Sequence, residues 1–93
     1  MVRPPMQRLE LSEHAVEQAR RRGIPLEWVL EAARSPDSVL SGQHDREIRQ
    51  RIYRFPPDNR SFLVRVILEL DPTRETVVTV YRTSKIQKYR SRP

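Results

Sequence analysis

Cysteine is absent from the 93 residues, so neither a disulfide framework nor a thiolate metal site can be built, and no oxidising compartment is implied. Histidine occurs twice, and neither copy has the spacing of a metal-binding motif such as H-E-x-x-H, so no metal and no cofactor is expected. Long apolar runs are missing too. The longest, "FLVRVILEL", carries Arg65 in its middle and is far too short to cross a bilayer. No secretory apolar segment stands near the N-terminus, so a cytoplasmic protein without membrane attachment is expected. Repeats and low-complexity segments are also lacking.

What the chain has is arginine and a lopsided charge. The net charge is +6, with 18 Lys and Arg against 12 carboxylates. Residues 1–45 hold six arginines against seven carboxylates, whereas residues 46–93 hold ten arginines and two lysines against five. A one-sided cationic surface attracts polyanions, nucleic acid foremost.

The length suits one domain with a modest core. Residues 1–10 include two prolines without periodicity and read as a flexible lead-in; residues 11–85 read as the domain, and 86–93 as a basic tail. "LSEHAVEQARRRG" predicts a helix. Ser12 is its N-cap, Leu11 and Val16 have the spacing of a hydrophobic staple, and Gly23 is its stop. Ala15, Val16 and Ala19 form the inward stripe. "IPLEWVLEAARSP" predicts a second helix, with Pro25 in its first turn, an apolar stripe of Leu26, Val29, Leu30 and Ala33, and Pro36 blocking continuation. Trp28 is expected between helix and sheet.

After Pro36 the period shortens to that of strands. "DSVLSG", "REIRQRIYRF", "SFLVRVILEL" and "TVVTVYRT" read as four strands joined by turns short enough to demand antiparallel hairpins. The fold class expected is α+β, two N-terminal helices packed on one face of a four-stranded antiparallel sheet. Parity assigns Ile48, Ile52, Phe62, Val64, Val66, Leu68, Val78 and Val80 to the covered face. The open face then presents Arg49, Arg51, Tyr53, Arg65, Tyr81 and Thr83.

Guanidinium groups bind phosphate oxygens through paired donors, and tyrosine rings stack on unpaired bases, so such a face suits RNA. Candidate RNA-binding residues are Arg49, Tyr53, Arg82, Thr83, Lys85 and Lys88. Cleavage by attack of the 2′-hydroxyl needs no metal where side chains supply acid, base and charge stabilisation. The candidates for that are Arg51 and Arg65 on the phosphate, with His14 or Tyr81 moving protons. His14 reaches an open sheet face only around an edge, and its plainer role is a helix-terminal imidazole. His44, in the "GQHD" turn, reads as a solvated loop histidine. Arg65 either serves an anion site or pairs with Glu69 or Glu47.

The segments "SEHAVEQARRRGIP", "SPDSVL", "IRQRIYRF", "FLVRVILEL" and "ETVVTVYRTSK" resemble, over about residues 11–85, the bacterial domain-of-unknown-function family 4258. His14-Ala15, Arg22-Gly23-Ile24 and Val77-Val78-Thr79-Val80-Tyr81 carry the likeness. That family looks related to the RelE/ParE-like toxins. The resemblance implies two helices against an antiparallel sheet, an endoribonuclease that works without metal on RNA, free or on the ribosome, and an acidic antitoxin as partner. It carries over to His14, Arg51, Tyr81 and Thr83. The tail "SKIQKYRSRP" is more basic than the family pattern and suits either a short helix or an extended arm. Two alternatives stand beside the toxin: a non-catalytic module of the same fold that binds RNA or an acidic protein, and a homodimer formed through an exposed strand edge.

Overall fold

The structure, a computed structural model, describes residues 8–90. Eight elements follow one another: β1 (Arg8–Leu11), α1 (Glu13–Arg21), α2 (Leu26–Arg34), β2 (Ser38–Ser41), β3 (Arg46–Phe55), β4 (Arg60–Leu70), β5 (Arg74–Thr83) and α3 (Ile86–Arg90). The sheet order is β1-β5-β4-β3-β2. Strands β2 to β5 form the expected antiparallel meander, and β1 adds a fifth, parallel strand beside β5. The class is α+β with a mixed sheet. Three residues of the expected lead-in, Arg8 to Glu10, therefore belong to the sheet, and residues 86–90 of the expected tail form a helix. Residues 1–7 and 91–93 lie outside the described residues.

Helix α1 has the ends its sequence encodes. The Ser12 hydroxyl accepts from the Ala15 N–H at 3.0 Å and itself donates to the Val78 carbonyl at 3.3 Å, tying the cap to β5. Gly23, at φ 66°, turns the chain so that the Ile24 N–H reaches the Ala19 carbonyl at 2.8 Å, closing the helix. Val16 departs from the expected stripe and is exposed, because only Ala15 and Ala19 meet the sheet. In α2 the buried residues are Val29, Ala32 and Ala33, while Leu26 is exposed. The small alanines let both helices lie close to the strands.

The core between helices and sheet contains Val64, Val66, Leu68, Val77, Val80 and Phe55. Burying each of the larger aliphatic side chains stabilises the fold by about 1.5–3 kcal/mol. A register shift between Ile67 and Leu68 leaves Val78 as an extra residue of β5. Through this bulge Val77 and Val80 both face the helices, and Val78, expected inside, is half-buried.

Among the described residues no helix is long and apolar enough to cross a membrane. The face away from α1 and α2 is not bare. Leu63, Gln50 and Arg65 belong to it and are buried. Helix α3 folds back over this face, where the Tyr89 carbonyl accepts from the Gln50 amide at 3.2 Å.

Candidate functional site

Register decides which arginines share a face. Arg49 pairs with Val66, Arg51 with Val64 and Tyr53 with Phe62. Since Val64 and Val66 lie under the helices, Arg49, Arg51 and Tyr53 lie there too. Ile48, Gln50 and Ile52 take the opposite face. The expected parity of β3 is thus inverted, and the physical reason is visible at the side-chain ends. Arg49 donates through Nη1 to the Ala33 carbonyl at 2.8 Å and holds Glu75 through two bonds of 3.0 and 2.9 Å, with Glu47 at 2.7 Å from its Nε. Arg51 donates to the Ser35 carbonyl at 2.6 Å. These carbonyls close the C-terminal end of α2, where the helix dipole favours cations. The long aliphatic stems cover apolar surface while the charged heads find acceptors at its rim.

Tyr53 is held as firmly. Its ring stacks on Trp28 with centroids 4.6 Å apart, and its hydroxyl donates to Glu31 Oε1 at 2.7 Å. Burial first, then the bond to the Glu31 carboxylate, pushes its ionisation well above that of an ordinary phenol. Trp28 therefore sits between helix and sheet as expected, inside an aromatic cluster with Phe55 and Phe62.

The opposite face carries a polar row across four strands. Ser38, Gln50, Arg65 and Tyr81 occupy successive paired positions on β2, β3, β4 and β5. Arg65 donates through Nε to Gln50 Oε1 at 2.8 Å and through Nη1 to the Tyr81 hydroxyl at 2.6 Å. Gln50 passes the chain on to the Ser38 hydroxyl at 3.0 Å. The Arg65 guanidinium also lies 4.1 Å from the Tyr89 ring centroid. Neither expected carboxylate reaches Arg65, because Glu69 binds Arg46 and Glu47 binds Arg49. A guanidinium that is only 6% exposed thus has neutral oxygens and ring faces as its partners among the described residues.

Beside this row is a cavity of about 310 Å³, with Ile48 and Ile67 as its apolar floor, Thr79 and Tyr81 on one wall, and His44 and Arg46 on another. The β2–β3 connection brings His44 there, and Arg46 is the first residue of β3. The Arg46 N–H donates to the Gln43 carbonyl at 3.1 Å, enclosing His44 at φ 58° and Asp45 at φ 62°. Two successive positive φ values define a tight turn that Asn-Gly would fill with less strain.

Charge is sorted along the strands. At the end where β3 starts and β4 stops, Arg46 meets Glu69 at 2.7 Å, Arg74 lies 3.5 Å from both Glu10 and Asp71, and Arg8 meets Glu10 at 3.3 Å. Toward the β3–β4 turn and past the end of β5, none of Arg54, Arg60, Arg82, Lys85 and Lys88 has a carboxylate within 4.0 Å among the described residues.

The sequence-predicted residues are therefore divided. Arg65, Tyr81 and Thr83 share the face away from α1 and α2. Arg49, Arg51, Tyr53 and Arg82 lie on the helix side, and His14 is exposed on α1 in the helix layer. Lys85 and Lys88 are exposed past β5, where the Lys85 N–H caps onto the Thr83 hydroxyl at 3.1 Å. Sequence reasoning missed Gln50, Tyr89 and the placement of His44. The clue to Gln50 was its position between Ile48 and Ile52, at the centre of an otherwise apolar alternation. Among the described residues no cluster of three or more His, Asp or Glu could hold a metal. A family model described as a domain of unknown function, DUF4258, matches residues 11–82. No curated protein and no solved structure matches the chain.

Proposed function

We propose that this chain, which belongs to the DUF4258 family, is a RelE-like toxin domain that receives RNA on the sheet face away from α1 and α2 and cleaves it without metal. The observation carrying the reading is that His44, Arg46 and Tyr81 line one cavity while Arg65 holds the Tyr81 hydroxyl from behind. In this reading the 2′-hydroxyl attacks the adjacent phosphorus and gives its proton to the His44 imidazole. Tyr81 protonates the departing 5′-oxygen, leaving a 2′,3′-cyclic phosphate and a 5′-hydroxyl end. Arg46 and Arg65 offset the charge that builds on the phosphoryl oxygens. His44 replaces His14 in the proton-transfer role because His14 has the sheet between it and Tyr81.

A second reading is favoured by the occupied arginines. Arg49 and Arg51 are bound to carbonyls at the C-terminal end of α2 and its cap, and Tyr89 stacks on Arg65, so a non-catalytic module that binds RNA or an acidic protein fits the same surface. An acidic antitoxin belongs to both readings, as the partner that neutralises the unpaired cations. Incubation with RNA in EDTA, with and without ribosomes, separates them. Cyclic phosphate ends that disappear with His44→Ala and Tyr81→Phe support the enzyme; salt-sensitive binding without new ends supports the module.

A further inference from the structure

We propose a second anion site, on the helix side of the sheet, in which Arg82 and Arg60 grip one phosphodiester group of the RNA backbone. The inference rests on the RNA reading above but uses a different surface and none of its cavity residues. The Arg82 guanidinium carbon lies 4.2 Å from the Phe55 ring centroid and 4.5 Å from that of Phe62. Arg60 covers Phe62 as well, at 5.5 Å. Phe55 is buried and pinned edge-on between Trp28 and Phe62, so the platform under the guanidinium is rigid.

This packing fixes the Arg82 side chain without using its donors. No hydrogen-bond acceptor and no carboxylate meets Arg82 among the described residues, and no buried side-chain nitrogen or oxygen lacks a partner. Its unpartnered N–H groups are therefore open to solvent. An arginine whose rotamer is held by rings and whose planar fork stays empty is preorganised for an oxyanion, since the conformational cost of ordering it has been met by folding. Asp58, in the nearby β3–β4 turn, makes no ion pair with either arginine. Phosphate suits the site because its tetrahedral oxygens can bridge two guanidinium groups at once.

The link to the cavity is β5. Tyr81 and Arg82 are neighbours in sequence, so their side chains leave opposite faces of the strand. Pairing with β1 ends at Val77, so among the described residues the outer edge of β5 beyond it has no strand partner. A single RNA strand that crosses this open edge meets Tyr81 on one side and Arg82 on the other.

Two measurements on the intact chain test the site. The first follows the arginine Nε–Hε signals by NMR during titration with inorganic phosphate, where the Arg82 signal is expected to shift. The second measures binding of a single-stranded RNA oligomer as a function of salt. Arg82→Gln should weaken binding roughly tenfold and lower the log–log salt slope by about 0.7, the value for one lost phosphate contact on a single strand. Arg82→Lys should keep the slope and lose affinity, because it retains charge without the fork. An unchanged slope and affinity in Arg82→Gln overturns the proposal. RNA that fails to bind the wild-type chain removes the RNA reading instead; the phosphate titration then decides the site alone, a shift supporting it and a static Arg82 signal overturning it.

Discussion

Arg65 and Tyr81 stand directly opposite each other on β4 and β5, and the guanidinium donates to the phenol oxygen over 2.6 Å. The bond matters more than an ordinary surface contact because Arg65 is buried and has no carboxylate partner among the described residues. Tyr81→Phe removes an acceptor from this buried cation while keeping the ring. Denaturant unfolding should show a loss of about 1–2 kcal/mol. A variant as stable as wild type would mean that water serves Arg65 equally well.

Arg49 and Glu75 form a second buried charged contact, across β4 and beneath α2. Glu75→Gln leaves a guanidinium half-compensated in the core and should cost about 3–5 kcal/mol. Replacing both partners, Arg49→Met with Glu75→Leu, should recover most of that loss, because the expense of burying ions disappears with the pair. Melting curves of the single and double variants check the order.

Tyr53 links stability to alkaline pH. Its ionisation is raised in the folded protein, so the folded state holds the phenolic proton more tightly than the unfolded chain. The stabilisation is complete below the unfolded value of about 10 and declines as pH climbs through the folded value. Tyr53→Phe should be less stable than wild type by about 1 kcal/mol at neutral pH. The gap between the two should narrow above pH ~10, as followed by urea unfolding across the alkaline range.

The His44–Asp45 turn carries backbone strain beside the cavity. Both residues hold positive φ, a geometry that costs non-glycine side chains about 1 kcal/mol or more each. His44→Asn with Asp45→Gly should raise the unfolding midpoint. If the cavity handles RNA as proposed, the same double variant should lose cleavage. A variant that is more stable and equally active would remove His44 from the chemistry.

Local chemistry was legible from the residues alone wherever one short segment contained both partners. Ser12 and Gly23 mark the ends of α1 through bonds made within a few residues, and Pro36 stops α2 by steric necessity. The antiparallel order of β2 to β5 followed from connections too short for any crossover. The central place of β4 followed from apolar residues on both of its sides.

The phase of β3 was not legible, because Arg49, Arg51, Tyr53 and Ile48, Ile52 make either face defensible by hydrophobicity. Tertiary structure decided it by offering Arg49 a carboxylate on β5 and a carbonyl on α2, partners 26 and 16 residues away in the chain. Pairing of β1 with β5 and the return of α3 over Gln50 are likewise long-range choices. They depend on which backbone edges and polar groups remain unsatisfied once the meander has formed, and folding is what brings such groups within reach of one another.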